Sequence, residues 1–211
     1  MCGCAVWAGA IKKTLHAAEQ ARPDVAAKRA RWYEQFEGVE PKSLVFLDES
    51  GANTQMTRWR GRSPVGERLV GHVPQGHYKT TTLIAAMRLE GVQAPWLFEG
   101  PMNGEMFLAW VKEGLAPTLR KDDIVILDNL PTHKVKGVQK AIEEAGAQLL
   151  PLPPYSPDFN PIENMWSKTK TILRTREPRN KDQLIQAARA AFEAISPADI
   201  KGFFVHAQYA T

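Results

Sequence analysis

Cysteine is nearly absent: Cys2 and Cys4 are the only two in 211 residues. One C-x-C at a chain end, without a second pair or a matching histidine set, excludes a disulfide framework and is a poor basis for a zinc module. Long apolar runs are also missing. The opening MCGCAVWAGA is apolar but far short of the ~18 residues that a membrane helix needs, and Lys12 and Lys13 follow it instead of preceding it, the reverse of a secretory signal. No low-complexity tract interrupts the chain. These absences predict a cytoplasmic protein with no membrane partner. The charged residues leave a net +4 and a pI near 9.1, which suits a polyanionic partner without requiring one.

The chain is organised around two copies of one signature. Leu44-Val45-Phe46-Leu47 runs into Asp48, and Ile124-Val125-Ile126-Leu127 runs into Asp128. Short apolar runs of this kind, the second of them largely β-branched, read as strands buried on both faces. Laid parallel and adjacent, they bring the two aspartates together at the carboxyl edge of a sheet, where open α/β sheets place their ligands. Glu163, with 34 residues between it and Asp128, follows Asn160-Pro161, a cap and first-turn proline, so it sits at a helix start. Three converging carboxylates repel one another unless cations intervene. Hard oxygen ligands with no cysteine or histidine nearby suit magnesium or manganese. Each acid also has a plainer use: Asp48 and Asp128 as turn or helix caps, and Glu163 closing a capping box with Asn160.

Around these anchors the expected order is strand, strand, strand, helix, strand, helix, strand, helix. Tyr78–Met87 and Val92–Phe98 read as strands joined at Glu90-Gly91. Asn103 caps a helix bearing Met106, Phe107, Trp110, Val111 and Leu115, and a second helix spans about Lys134 to Ala145, stopped by Gly146. Gln148–Pro151 is a short edge strand. In the helix of Glu163 the core stripe is Ile162, Met165, Trp166, Thr169, Ile172 and Leu173. Lys168, Lys170 and Arg174 lie off that stripe and offer a basic face to a phosphate backbone. Asn180 to Gln183 reads as a capping box for the next helix. Arg58, Arg60 and Arg62 around Trp59 read as a nucleic-acid contact loop, with Lys134 a further phosphate contact. Residues 12–36 read as helical with a break at Pro23, either docking Trp32 and Phe36 on the main domain or tracking DNA phosphates as a basic arm.

Three stretches carry a family resemblance: FLDESG around Asp48, ILDNLPTHK around Asp128 and LPPYSPDFNPIENMWSKTK around Glu163. The chain resembles the catalytic part of a DDE transposase of the mariner superfamily, in its bacterial insertion-sequence branch. The resemblance implies an α/β, RNase H-like mixed sheet flanked by helices, with residues 1–40 an N-terminal helical arm and 41–211 the catalytic domain. It implies that Asp48, Asp128 and Glu163 bind two Mg2+ or Mn2+ ions, Asp48 bridging the pair. The activity implied is cleavage at transposon ends and transfer of the 3′-hydroxyl into target DNA at TA sites. The partners are double-stranded DNA, as inverted repeats and target, and a second copy of the chain, at the bacterial nucleoid. Transposases of this group usually carry helix-turn-helix modules ahead of the first carboxylate, where this sequence has barely 40 residues, which points to a split, frameshifted or truncated gene with the end-recognition module encoded separately. A silent remnant that only binds DNA or a partner, and an RNase H-like nuclease, remain the alternatives.

Overall fold

The computed structural model describes residues 17–74, 78–129 and 136–209. Five strands form one mixed sheet: β1 (Leu44–Ala52), β2 (Thr81–Arg88), β3 (Gly91–Glu99), β4 (Ile124–Leu127) and β5 (Gln148–Pro151), in the order β3-β2-β1-β4-β5. β1 pairs antiparallel with β2 and parallel with β4, and β4 pairs parallel with β5. β1 and β4 are therefore neighbours, and where they pair, Leu44–Phe46 against Ile124–Ile126, both faces of the sheet are covered. That burial is why Leu44–Leu47 and Ile124–Leu127 are apolar throughout rather than alternating.

Alternation of side chains across the sheet divides the core in two. Leu44, Phe46 and Ile126 face one side and pack with α4 (Ile162–Arg176), α5 (Lys181–Glu193) and α6 (Pro197–His206). Val45, Leu47, Val125 and Leu127 face the other and pack with α2 (Gly104–Trp110) and α3 (Val138–Glu144). Asn103 caps α2, its side chain accepting from Met106 N at 2.8 Å. The last turn, Val111–Leu115, widens to π geometry, which keeps Val111 and Leu115 buried. β3 is an edge strand, so Pro95 removes no needed ladder bond; beside it Ala94 takes a positive φ of 47° and its carbonyl accepts from Trp110 Nε1.

Several expectations shift: β2 begins at Thr81 and not at Tyr78, the strand of Asp48 continues to Ala52, and the cap of the Glu163 helix falls on Pro161, with no side-chain bond from Asn160. α3 begins at Val138, after a turn at Lys136-Gly137 in which Gly137 has a φ of 103°, so the described helix starts later than a Lys134 start; residues 134 and 135 lie outside the described residues. Its end is as expected, with Gly146 at a φ of 85° and its N–H donating to Glu143 O. The Asn180 box is only half formed. Asn180 Oδ1 accepts from Gln183 N, but Gln183 Oε1 accepts from Arg179 N and not from Asn180 N.

The N-terminal segment breaks at Pro23 as expected. One turn at Ala18–Ala21 precedes α1 (Pro23–Ala30), and another at Tyr33–Phe36 follows it. Val25 and Trp32 are buried. Trp32 Nε1 donates to Tyr209 Oη at 2.8 Å, and that hydroxyl donates to Phe159 O at 2.9 Å. Phe36 packs edge-on to both Trp32 and Tyr209. The segment is thus docked against the α4 side of the sheet.

Candidate active site

Register explains how the aspartates meet. The parallel pairing matches Leu44 with Ile124, Val45 with Val125 and Phe46 with Ile126. Carried two residues further, it sets Asp48 beside Asp128, on strands that lie about 4.8 Å apart in a sheet. Asp48 shares its parity with Leu44 and Phe46, so it belongs to the α4 face. There the N-terminus of α4 brings Glu163. All three carboxylates line one cleft of about 450 Å³, walled by the segment Leu152–Pro157 and by Asn160.

The electrostatics follow from that convergence. Asp48 is 9% exposed. Burial holds its pKa well above the usual carboxylate range, helped by the negative charges of Glu163, Glu49 and Asp128 and opposed by the Glu49 backbone N–H. Glu163, at the mouth of the cleft, is also raised, by withdrawal from water and by Asp128, against the opposing charge of Lys170. The like charges thus bear on one another, and among the described residues no cationic side chain pairs with Asp48. Asn160 Oδ1 is buried in the same cleft with no donor facing it among the described residues. An all-oxygen, anion-rich pocket with an unanswered acceptor fits hard divalent cations. Among the described residues no three His, Cys, Asp or Glu side chains stand close enough to enclose a single ion. The cleft is an open cluster from separate elements, not a closed cage.

Asn129, Tyr155, Ser156 and Asn160 also line the cleft, although no spacing rule marks them as site residues. Asn129 Nδ2 donates to Leu152 O, and Leu152 N donates to Leu127 O, joining the ends of β4 and β5 at the cleft floor. The Tyr-Ser-Pro text is visible as a motif; only the return of the chain after β5 makes it the wall.

The basic residues part company. Seven and eleven residues on from Glu163, at roughly 100° per residue, Lys170 and Arg174 return to within about 20° of its side of α4. Lys168, five residues on, is turned about 140° away. It pairs with Asp199 at 2.5 Å on the α6 side, and with Ser196 it pulls that carboxyl down to about 2. Lys170 and Arg174 instead line a groove of about 300 Å³ with Asn53, Gln55 and Trp59. Trp59 is 82% exposed, and the Arg174 guanidinium lies 4.4 Å from its ring centre. Arg58 Nε donates to Thr175 Oγ1 at 3.3 Å, while Arg60 and Arg62 are exposed on the irregular stretch beyond. The root of that loop is pinned: Thr57 Oγ1 donates to Glu177, and Arg179 donates to the Thr54 and Met56 carbonyls. Lys134 and His133 lie outside the described residues.

Comparison with known proteins agrees with this architecture. A family model described as "DDE superfamily endonuclease" matches residues 43–185, from the start of β1 into α5. The Tcb1 transposase of Caenorhabditis briggsae is 25% identical over 189 residues, covering 79% of this chain and 66% of that protein. The Tcb2 transposase of the same organism is 26% identical over 167 residues, covering 72% and 59%. The chain therefore spans less than two thirds of the length of these relatives. Among solved structures, the paired-end complex of the mariner Mos1 transposase with Mg superposes with a TM-score of 0.74 at 16% identity, covering 95% of this chain and 64% of that one. The isolated Mos1 catalytic domain gives 0.64 at 15%, covering 94% and 93%. The fold is that of the Mos1 catalytic domain, RNase H-like. These relatives bear on the superfamily and not on a bacterial branch of it.

Proposed function

Because this chain belongs to the DDE superfamily endonucleases, we propose that it is the catalytic portion of a DNA transposase, with Asp48, Asp128 and Glu163 as its catalytic carboxylates. The observation that carries the proposal is their convergence in one cleft, at the point where β4 ends beside β1. Two Mg2+ or Mn2+ ions would be held there, Asp48 with Asp128 gripping one and Asp48 with Glu163 the other. When bound, such ions supply the charge that activates an attacking oxygen and offsets that of the leaving one. The Mos1 complexes with Mg and with Mn, similar in fold, favour this pairing of fold and ion.

The chain's own work is to place the phosphodiester. Asp48 and Asp128, fixed by strand register, form the rigid side of the cleft; Glu163 and the Tyr155–Asn160 wall form the other. Lys170 and Arg174 continue the Glu163 side of α4 away from the cleft, as a track for phosphates flanking the reacting one, and Arg58, Arg60 and Arg62 extend it. In the first reaction water attacks phosphorus at the transposon end, the bond to O3′ breaks, and a free 3′-hydroxyl remains. In the second, that hydroxyl attacks a phosphodiester of target DNA, at TA by family resemblance, and the displaced target strand leaves with its own 3′-hydroxyl. No bond to the protein forms in either. Similarity to paired-end complexes supports two copies of the chain bridging two DNA ends, in whichever compartment holds the DNA.

The test is nicking of supercoiled plasmid and of inverted-repeat duplexes with Mn2+. Cutting that requires the ion supports the proposal. DNA retention with no cutting points to a silent, binding-only chain, a reading that the partial coverage of the relatives keeps in view. The DNA track carries its own prediction. Lys170→Ala with Arg174→Ala should flatten the dependence of log K on log salt by about 0.9 for each phosphate that is no longer neutralised. Lys168→Ala, whose charge is committed to Asp199, should leave the slope alone. Titrations of a fluorescent duplex between low and moderate salt measure both; equal slopes for all three proteins would move DNA off this side of α4.

A further inference from the structure

Glu163 differs from the two aspartates in how it is held. Asp48 lies within β1, paired opposite Ala85, and Asp128 directly follows β4, whereas Glu163 stands in the first turn of α4, whose N-cap is Pro161 and has no side-chain cap. What precedes it is a wall with little regular structure. Tyr155 adopts a left-handed φ of 57°, and a single turn at Pro157–Phe159 follows. Local bonds then run straight to the carboxylate's own backbone: Phe159 N to Ser156 O, Asn160 N to Pro157 O and Glu163 N to Asn160 O. Non-glycine residues persist in such a conformation only where the surroundings hold them.

The N-terminal segment does the holding. Arg29 of α1 donates from Nη1 to Ser156 Oγ at 2.7 Å and to Asp158 Oδ1 at 2.9 Å, and from Nη2 to Asp158 Oδ2 at 2.6 Å. Its guanidinium carbon lies 4.1 Å from the centre of the Phe159 ring. One planar fork thus grips three residues of the wall at once, a fit that only arginine provides. Earlier in the same segment, Gln20 Nε2 donates to the carbonyl of the strained Tyr155 at 2.7 Å.

We propose that Arg29 is a positioning residue for Glu163, and that the segment around α1 belongs to the frame of the active site, not to the DNA track. The proposal rests on the reading of Glu163 as a metal ligand. Release of the clamp frees residues 155–163 while leaving Asp48 in β1 and Asp128 at the end of β4. The cleft then keeps its rigid half and loses the aim of its third carboxylate.

The experiment uses the full chain and two readouts, amide hydrogen exchange and Mn2+ binding followed by electron paramagnetic resonance without DNA. Arg29→Ala should speed exchange across residues 155–164 by about tenfold or more with β1 and β4 unchanged, and weaken Mn2+ binding by roughly tenfold, the low end of what loss of a group orienting a metal ligand costs, because Arg29 reaches Glu163 only through the wall. Arg29→Lys keeps the charge but loses the fork, so it should fall between; with Asp158→Asn it also supplies a gentler variant should the alanine fail to fold. A merely structural role would lower the melting temperature and leave Mn2+ affinity in the folded protein unchanged, and that result overturns the proposal. So does unaltered exchange in the wall. If wild type itself binds no Mn2+, the carboxylate reading fails and takes this one with it; failure of the clamp alone leaves wild-type binding intact.

Discussion

Asp48→Asn is expected to cripple ion-dependent cleavage, lowering it by roughly a hundred- to a thousandfold, the scale on which loss of one preorganised charge-stabilising group acts, and at the same time to stabilise the metal-free protein. The two effects have one cause. Asp48 is buried among like charges, so its folded pKa lies well above its unfolded value. A carboxyl raised in this way binds its proton more tightly when folded. In metal-free buffer its contribution is therefore neutral at acid pH, and stability falls as pH rises from about 4, the unfolded carboxylate range, up through the folded value. The asparagine has no such penalty. Wild type in chelator should melt a few degrees below the variant at neutral pH, with the gap closing toward acid. Added Mg2+ should raise the wild-type midpoint, since a ligand that binds only the folded state stabilises it by mass action, and should move the variant far less. Asp128→Asn should match it in lost cleavage. Thermal melts across pH, with and without ion, and plasmid nicking measure the whole set. A variant that cuts at the wild-type rate, or that Mg2+ stabilises equally, removes Asp48 from the site.

Arg88→Met should be the most damaging change remote from the cleft. Arg88 closes β2 at the edge of the sheet opposite Asp48, and Asp123 precedes β4 there. Their side chains are 1% and 3% exposed and 2.6 Å apart. Asp123 Oδ2 also accepts from Arg120 N at 2.7 Å, and Arg88 Nη2 donates to Thr118 O at 3.2 Å. The guanidinium is under-served even so, with Nε and Nη1 lacking partners among the described residues. Burial of such a pair gains little over apolar packing, but removing one partner strands the other charge in a low-dielectric interior, at about 3–5 kcal/mol. For a chain of this size that is a fall of roughly 10 °C in the melting midpoint. Arg88→Met with Asp123→Asn should recover most of it, because the amide oxygen still accepts from Arg120 N. Cleavage per folded molecule should not change. Urea melts decide: a single-variant loss below about 1 kcal/mol would mean that the pair is solvated in practice.

Much of this molecule is legible in the linear text, for a reason that differs by element. The apolar runs ending in Asp48 and Asp128 announce central strands because strands covered on both faces have no polar positions. Gly146, Asn103 and the α4 stripe are readable because caps and helical periodicity are local rules. The departures also have local causes. Composition alone puts a helix start near Lys134, whereas α3 starts after a left-handed Gly137. Asn180 and Gln183 have the spacing of a full box, yet the glutamine bonds one residue upstream. Lys168 groups with Lys170 and Arg174 by charge, but charge does not tell one side of a helix from another; its partner, Asp199, is 31 residues away in sequence.

By itself the sequence determined most of the elements, the family text and three candidate acids, because short-range backbone preferences and apolar burial are written residue by residue. Only the tertiary structure decided which of these meet. Parallel register set Asp48 beside Asp128, the return of the chain after β5 turned Tyr155–Asn160 into a wall, and docking of α1 placed Arg29 on Ser156 and Asp158, 127 and 129 residues away. Contacts of that range depend on how whole elements pack, and no local spacing rule encodes them.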